Sequence, residues 1–332
     1  MNLAQRKESL IQLAGKLHPE SPAVQDIAAK AYEHNRWFTP ENIFRMLTNI
    51  SEQFLQEEKL EQWISAYKIR EHRHPKTVGL IMAGNIPLVG FHDLLCVMIS
   101  GHKALVKLSS KDNILLPWLL ERLYEADDYW RSAMVISDLL TGMDAAIATG
   151  SNNSSRYFNY YLSKYPHIIR KNRGSVAVIT GHETSVSLQQ LGIDIFSYFG
   201  LGCRNVSKLL VPAEYSFDRL FESLEPFRSV IDHHKYKNNF DYNLTLLLMN
   251  RQPHFHNDFV ILREDARIVS QVATLHYERY ADEAALREKL LQEEAAIQCI
   301  AGEGYVGFGK TQAPELWDYA DHIDTLQFLN EL

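Results

Sequence analysis

Short apolar runs alternate with helical patterns along most of this chain, and this alternation constrains the fold more than any other feature. The runs are TVGLIMA (77–83), KALVKL (103–108), AAIAT (145–149), SVAVI (175–179) and VSKLLV (206–211). Strands that alternate with helices of about 10–15 residues form βαβ units and a mostly parallel sheet. The sequence therefore predicts the α/β class, with helices over 88–100 and 114–124 between the first strands.

The first 74 residues contain no such runs and are predicted to be helical. Apolar residues repeat over 24–31 at the spacing of a packed helix face. Ser21-Pro22 and Thr39-Pro40 predict two helix starts, each with the hydroxyl as N-cap and proline at the first helical position.

The length of the chain fits two globular domains, because 332 residues correspond to about two domains at roughly 150 residues each. Hydrophobic residues make up 46% and charged residues 23%, which are globular values. We expect the domain boundary near Gly200. Asn238-Asn239 and residues 251–254 are predicted to be loops of a second α/β region.

Charge and cysteine content exclude several classes of protein. A net charge of −7 argues against nucleic acid as a partner, since phosphate backbones need clustered cations. Cys96, Cys203 and Cys299 are too far apart for a disulfide framework or a metal knuckle, which favours a reducing compartment. No stretch approaches the roughly 20 apolar residues of a membrane helix. MNLAQRKESL is not a signal peptide, so we expect a soluble, cytoplasmic protein.

Ligands of parallel sheets bind where strands end, and polar residues follow three of the predicted strands. The turn GNIPL (84–88) contains Asn85, which is either a turn residue or an amide aimed at an oxyanion. KLSSK (107–111) follows the second strand. TGSNNSSR (149–156) leads into a helix and suits either anion binding or plain N-capping. The Rossmann fingerprint GxGxxG is absent.

Cys203 is the strongest candidate nucleophile. A predicted helix ends at Phe199, and Gly200 and Gly202 precede the cysteine. Glycines leave the sulfur open to a substrate and the neighbouring N–H groups open to an oxyanion, and Arg204 favours the thiolate. The alternative is a buried structural cysteine. Cys96 and Cys299 fit that alternative, because each lies in an apolar run without an adjacent glycine or charge.

A phosphate-loop pattern near the end of the chain is rejected. Residues 304–311 (GYVGFGKT) match GxxxxGK[ST]. Only 21 residues follow Thr311, whereas a βαβ unit needs roughly 30. Pro314 also falls early in any following helix.

Paired histidines are weak candidates for metal ligands. The pairs are His72/His74, His233/His234 and His254/His256. They come without an HExxH motif or cysteine partners, so loop positions or a pocket lining are favoured and no metal is predicted.

Four segments in order resemble the aldehyde dehydrogenase superfamily and, within it, most resemble the LuxC-type fatty acyl-CoA reductase family. They are AGNIPLVGFHDLLCVMISGHKALVKLSS (83–110), ATGSNNSSRYF (148–158), FGLGCRNVSKLLVP (199–212) and APELWDYADHIDTLQFL (313–329). The resemblance spans residues 75–332. It implies a parallel-sheet dinucleotide-binding domain that ends near Gly200 and an α/β catalytic domain that begins near Cys203. Together with the predicted N-terminal helices, the first domain covers 1–200, and the catalytic domain with a C-terminal tail covers 201–332.

The resemblance also implies roles for single residues. Cys203 falls on the catalytic thiol, and Asn85 on the amide that helps to bind the oxyanion. The implied cofactor-binding residues are Lys107, Ser109, Ser110, Gly150 and Ser151.

Two departures from oxidising members of the superfamily indicate a reductase. Those members carry a glutamate that activates water, whereas residues 169–175 (IRKNRGS) contain no carboxylate, so a thioester should hydrolyse slowly. They also often place a glutamate on the cofactor ribose where this chain has Ser110 followed by Lys111. A cation there favours a 2′-phosphate, hence NADP(H).

The resemblance therefore implies an NADPH-dependent acyl-CoA reductase that works through an acyl-enzyme at Cys203. An acyl-phosphate reductase of the same fold and a catalytically silent nucleotide-binding scaffold are the alternatives. The superfamily usually forms dimers or tetramers, which implies a homo-oligomer. Whether an acyl-activating ligase delivers the acyl group stays open, as does the chain length of the acyl group.

Overall fold

A computed structural model describes residues 1–71, 74–150 and 152–332 and confirms the predicted α/β class. Its helices are α1 (Leu3–Ala14), α2 (Pro22–His34), α3 (Pro40–Asn49), α4 (Glu57–Ser65), α5 (Phe91–Ser100), α6 (Leu115–Ala126), α7 (Tyr129–Ala133), α8 (Asn152–Leu162), α9 (Ser185–Phe196), α10 (Asp218–Leu224), α11 (His234–Met249), α12 (Glu283–Glu293) and α13 (Thr325–Asn330). Its strands are β1 (Thr77–Ile81), β2 (Lys103–Lys107), β3 (Met134–Ile136), β4 (Ala145–Thr149), β5 (His167–Arg170), β6 (Gly174–Val178), β7 (Val206–Pro212), β8 (Phe255–His256), β9 (Ile261–Glu264), β10 (Thr274–Tyr280) and β11 (Ile297–Ala301). Ser151 and His72 lie outside the described residues.

The chain forms two compact units, each built on its own sheet. Unit 1 comprises Met1–Asn172 and Pro314–Leu332, and unit 2 comprises Arg173–Ala313. The sheet of unit 1 is parallel with the order β3-β2-β1-β4-β5. The sheet of unit 2 has the order β11-β6-β7-β10-β9-β8, and among its described strands β8 alone runs antiparallel.

These units correct the boundary expected near Gly200. β6 begins at Gly174 and pairs with β7 and β11, so the chain enters the second sheet before residue 200. The C-terminal tail, expected in the second domain, belongs to unit 1. It is held there by buried contacts: Arg170 bonds the hydroxyl of Thr325, and the His102 ring nitrogen donates to the Leu329 carbonyl.

The predicted helical N-terminus is confirmed and packs against α5 and α6 in one apolar core. The Thr39 hydroxyl caps α3 by accepting from the Asn42 N–H, as expected. Ser21 stands at the N-cap position of α2, but its hydroxyl makes no capping bond. α5 is buried on almost every side, and Cys96 within it is a fully buried structural cysteine, as predicted. Burial raises the pKa of the Cys96 thiol well above its usual value.

The loop expected at Asn238-Asn239 is wrong, because both residues lie inside α11. Tyr236, Phe240 and Leu247 form a buried stripe on that helix. Packing of this stripe outweighs the modest preference of asparagine for turns.

Candidate functional site

The polar residues predicted in unit 1 converge on one edge of its sheet. Ile81 at the end of β1 pairs in register with Lys107 on one side and Ala148 on the other. The turn that contains Asn85, the KLSSK segment and Gly150 therefore leave the sheet at the same level. The strand order reverses around β1 and β4, which is where open parallel sheets bind ligands.

A glycine allows the Asn85 turn to approach the segment after β2. A Cβ added to Gly84 would lie 2.5 Å from the hydroxyl oxygen of Ser109 and 2.8 Å from the Cβ of that residue. Only glycine fits there without a shift of the neighbour. Asn85 itself is half-buried and follows directly after this close contact.

Asp112 links the Asn85 turn to the segment after β2, a role that the sequence did not indicate. One of its carboxylate oxygens accepts the Leu88 N–H at 2.7 Å, and its own N–H donates to the Ser109 carbonyl at 3.1 Å. The carboxyl group is buried, which raises its pKa to about 6. The bond to Leu88 joins two turns that are 24 residues apart, and a local sequence pattern carries no signal for such a contact.

The side chains of Lys107, Ser110 and Lys111 are exposed beside these turns. Their backbone is anchored from α2 and the residue after it: the His34 ring donates to the Ser110 carbonyl at 2.9 Å, and the Asn35 amide donates to the Lys111 carbonyl at 3.1 Å. No carboxylate in the described part of the chain forms an ion pair with either lysine. Two cations and a hydroxyl on a fixed backbone are suited to bind phosphate groups.

Residues 169–175, which contain no carboxylate, include the buried arginine Arg170. Arg170 makes two hydrogen bonds to the Asp93 carboxylate, at 2.9 and 2.6 Å, and a third to the Thr325 hydroxyl. The Arg170 guanidinium holds the pKa of Asp93 below its usual value. Because Asp93 is ionised and paired, it is a structural anion and a poor candidate for a general base.

Cys203 lies in unit 2, in a tight turn between α9 and β7. α9 ends at Phe196, three residues before the predicted end, and the chain reverses with positive φ at Tyr198, Phe199 and Gly200. A β-turn follows in which the Asn205 N–H donates to the Gly202 carbonyl at 3.0 Å. Cys203 is half-buried at the second position of this turn and forms no disulfide.

The turn fixes the direction of the Cys203 N–H. The Gly202 carbonyl points into the turn towards Asn205. Since the peptide is planar and trans, the Cys203 N–H points to the opposite side. A backbone donor that faces away from its own turn is suited to stabilise an oxyanion next to the cysteine.

Asn205, whose role the sequence analysis missed, holds the turn from inside. Only 1% of Asn205 is exposed. Its side-chain oxygen accepts the Gly202 N–H at 2.8 Å, and its amide nitrogen donates to the carbonyls of Asp194 at 2.9 Å and Ser197 at 2.8 Å. One side chain therefore joins the Cys203 turn to the end of α9.

The segment 304–311, which matches the phosphate-loop pattern, binds the carboxylate of Asp194. This contact supports the rejection of a phosphate-binding role for the segment. The buried Asp194 carboxylate accepts hydrogen bonds from the Gly309 N–H at 2.7 Å, the Thr311 N–H at 3.0 Å and the Thr311 hydroxyl at 2.8 Å. The loop thus binds a carboxylate of its own unit with donors that a phosphate loop would direct at a nucleotide. Burial raises the pKa of Asp194.

Cys299 corrects another expectation, because it is half-buried and lies against the hydroxyl of Ser175 instead of inside an apolar core. Its sulfur lies 3.1 Å from the hydroxyl of Ser175, and the same hydroxyl donates to the Cys203 carbonyl at 2.9 Å. β11 and β6 are paired, which brings Cys299 and Ser175 together.

The described residues contain neither a metal site nor a membrane-spanning helix. No group of three or more His, Cys, Asp or Glu side chains in the described ranges could hold a metal ion. His254 and His256 stack on each other at an exposed edge, with ring centroids 5.6 Å apart. None of the described helices has the length and hydropathy needed to cross a membrane.

Solved structures with the same fold are aldehyde dehydrogenases and related oxidoreductases. Aldehyde dehydrogenase 21 from Physcomitrella patens, solved with succinate, has a TM-score of 0.66 and 12% identity over 91% of this chain and 74% of its own. An indole-3-acetaldehyde dehydrogenase mutant from P. syringae, solved with NAD+ and IAA, has a TM-score of 0.67 and 13% identity over 91% and 72%. An NADP-dependent enzyme from E. coli has a TM-score of 0.65 and 11% identity over 91% and 73%. These similarities establish the aldehyde-dehydrogenase-like fold.

Sequence comparison identifies the family. No curated protein matches the chain. The family model described as acyl-CoA reductase (LuxC) matches residues 4–212, which include the N-terminal helices, the sheet edge of unit 1 and the Cys203 turn. The chain therefore belongs to the LuxC acyl-CoA reductase family, and its membership supports oxidoreductase chemistry on aldehyde or acyl groups.

Proposed function

We propose that this protein reduces an acyl-CoA thioester to the aldehyde with NADPH, through an acyl-enzyme at Cys203. The observation that carries the proposal is the Cys203 turn: a half-buried thiol next to glycine, inside the region matched by the family model, with its N–H directed away from the turn. That arrangement is suited to nucleophilic catalysis.

The first step forms a thioester on the protein. The Cys203 thiolate attacks the carbonyl carbon of the acyl-CoA, and the carbonyl oxygen becomes an oxyanion. We assign the Cys203 N–H to stabilise this oxyanion, at about 3 kcal/mol for a well-placed donor, and the family resemblance implies the same role for the Asn85 amide. The carbon–sulfur bond to CoA then breaks, CoA leaves as its thiolate, and one thioester has replaced another.

The acyl-enzyme is then protected from water. Residues 169–175 offer no carboxylate, and the buried guanidinium of Arg170 is paired with Asp93. A thioester that meets no general base hydrolyses slowly. This feature favours a reductase over an oxidising enzyme, because the acyl group stays on the sulfur until it is reduced.

The edge of the unit 1 sheet is the proposed cofactor site. A bound nicotinamide dinucleotide supplies the hydride for the reduction. Lys107, Ser109 and Ser110 would hold its adenosine end, with Gly150 after the neighbouring strand β4; Ser151, which the resemblance also implies, lies outside the described residues. The close approach of Gly84 to Ser109 and the exposed cations fit such a group. Lys111 next to Ser110 favours a 2′-phosphate and thus NADPH.

The proposal is tested by replacing Cys203 with alanine. We expect Cys203→Ala to abolish acyl-CoA-dependent NADPH consumption, since the nucleophile is lost, and to leave the dissociation constant of NADPH within about twofold. Cys96→Ala, which removes a buried thiol from unit 1, is the control and should retain turnover per folded molecule. Turnover that persists in Cys203→Ala would contradict the proposal.

A substrate panel separates the alternatives. Acyl-CoAs of several chain lengths are compared with acyl phosphates under the same conditions. Faster turnover of acyl phosphates would favour a phosphate-specific reductase of the same fold. NADPH binding without turnover of either class, together with a Cys203 that resists iodoacetamide, would favour a silent scaffold.

A further inference from the structure

We propose that Ser175 is a positioning residue for Cys203. Its buried hydroxyl holds the carbonyl group of the nucleophile's own residue and thereby sets the direction of the thiol. The inference deepens the proposed function and rests on it, since it concerns the same cysteine. Ser175 lies on β6, 28 residues before Cys203.

Only one assignment of donors and acceptors is consistent with the hydrogen bonds of the Ser175 hydroxyl. Ser175 is fully buried, and its oxygen lies 2.9 Å from the Cys203 carbonyl oxygen, 3.2 Å from the Cys299 nitrogen and 3.1 Å from the Cys299 sulfur. A carbonyl only accepts, so the one hydroxyl proton points to Cys203. The N–H and S–H groups of Cys299 must then both donate to Ser175. The hydroxyl is thereby polarised towards the Cys203 carbonyl.

Ser175 lies where the regular pairing of the sheet is interrupted on both sides. The register between β6 and β7 shifts between Ser175 and Val176, and that between β11 and β6 shifts between Ile297 and Ile300. At such irregularities the backbone ladder loses hydrogen bonds. The Ser175 hydroxyl supplies bonds to both neighbouring segments at this level, one to Cys203 and one to the Cys299 N–H. The irregular ladder is thus linked directly to the nucleophile.

Two peptide planes meet at the Cys203 Cα, and each is held by a separate contact. The Asn205 N–H holds the plane before Cys203 through the Gly202 carbonyl. Ser175 holds the plane after it through the Cys203 carbonyl. With both planes fixed, φ and ψ of Cys203 are set, and so is the direction of its Cβ. A nucleophile that is misplaced by about 1 Å can lose about a hundredfold in rate.

The test compares Ser175→Ala with Ser207→Ala. Ser207 on the adjacent strand β7 is the control: its hydroxyl donates to the Ile268 carbonyl at 2.9 Å, lies 3.4 Å from the backbone carbonyl oxygen of Ser175, and bonds neither the Ser175 hydroxyl nor Cys203. We measure kcat and KM for acyl-CoA, the Tm, and the rate at which iodoacetamide alkylates Cys203, followed by mass spectrometry of its peptide.

Ser175→Ala should lower kcat by about tenfold or more while KM stays within about threefold, since a positioning residue acts on the reaction and not on binding. Alkylation of Cys203 should slow by at least about threefold, because the peptide planes on either side of Cys203 no longer hold the thiol in one orientation. Ser207→Ala should leave both rates near those of the wild type. Ser175→Thr, which keeps the hydroxyl, should recover most of kcat.

Equal kcat and alkylation rates in Ser175→Ala and Ser207→Ala, with only a lower Tm, would show a structural role and overturn the inference. If Ser175→Ala does not fold, Cys299→Ala and Cys299→Ser replace it. The first removes the S–H donor and the second keeps a donor, so alkylation should be slower in the first, and equal rates would overturn the inference. Absence of acyl-CoA reduction in the wild type would refute the proposed function alone, because the alkylation rates still decide the role of Ser175.

Discussion

The Asn85 turn of unit 1 and the Cys203 turn of unit 2 are both fixed by buried polar side chains, but the side chains differ in kind. Asp112 holds the first with a carboxyl group whose pKa is raised to about 6. The neutral side chains of Asn205 and Ser175 hold the second.

The difference follows from what surrounds each turn. Lys107 and Lys111 are exposed near the Asn85 turn, where we propose that a phosphate group binds. The Cys203 turn is held by hydrogen bonds to the end of α9 through Asn205 and to β6 through Ser175. A binding surface tolerates mobile charges, whereas a nucleophile needs a fixed backbone. The following predictions test this contrast.

The largest effect is expected from Asn205→Ala. The substitution leaves the Gly202 N–H and the carbonyls of Asp194 and Ser197 without their buried partner. Each such loss costs about 1–3 kcal/mol, so the free energy of unfolding should fall by about 4 kcal/mol, and kcat should fall at least tenfold. Chemical denaturation and steady-state kinetics measure the two effects.

Asn250→Ala is the control for this prediction. Asn250 is exposed, and its amide donates to the Leu246 carbonyl at the end of α11. The control should change stability by no more than about 0.5 kcal/mol. If the two substitutions lower the free energy of unfolding by the same amount, Asn205 does not hold the Cys203 turn.

Asp112→Asn should change how stability depends on pH. The folded pKa of about 6 lies above the ordinary value of 3.8, so the fold favours the protonated carboxyl. The stabilisation is present below about pH 4 and is lost as the pH rises through 6. Between pH 4 and 7.5 the wild type should lose up to about 3 kcal/mol relative to the variant. Urea unfolding across this range measures the difference, and parallel curves would contradict the prediction.

A smaller effect is expected from Lys111→Glu, which acts on binding alone. The new carboxylate repels a 2′-phosphate, so KM for NADPH should rise about tenfold while KM for NADH changes little. Lys103→Glu reverses an exposed charge at the opposite end of β2 and is the control. Equal effects of both variants on KM for NADPH would place the phosphate elsewhere.

The strands that the sequence predicted are those that read as apolar runs. β1, β2, β4, β6 and β7 begin within one residue of the predicted positions, because parallel strands covered on both faces need apolar side chains throughout. β5 and β11 carry polar residues such as Arg170 and Gln298 and were missed. Arg170 is satisfied by a buried ion pair with Asp93 and by hydrogen bonds to the distant Thr325 and Ala320, and a local pattern does not contain that information.

The residues of the candidate site also fall into those that the sequence predicted and those that it did not. Cys203 and Asn85 were predicted from local signals, a thiol next to glycine and an amide after a strand. Asp112, Asn205 and Ser175 were missed, since each acts through a bond to a backbone group that only the folded chain brings near. Cys299 was misjudged for the same reason, because its neighbours in sequence are apolar but its neighbour in space is a hydroxyl.

The most direct test of the account is the mass of the protein after incubation with an acyl-CoA in the absence of NADPH. We expect one added acyl group, located on the Cys203 peptide, stable over minutes and discharged when NADPH is supplied. An adduct on Cys96 or Cys299, or no adduct while NADPH-dependent reduction proceeds, would contradict it.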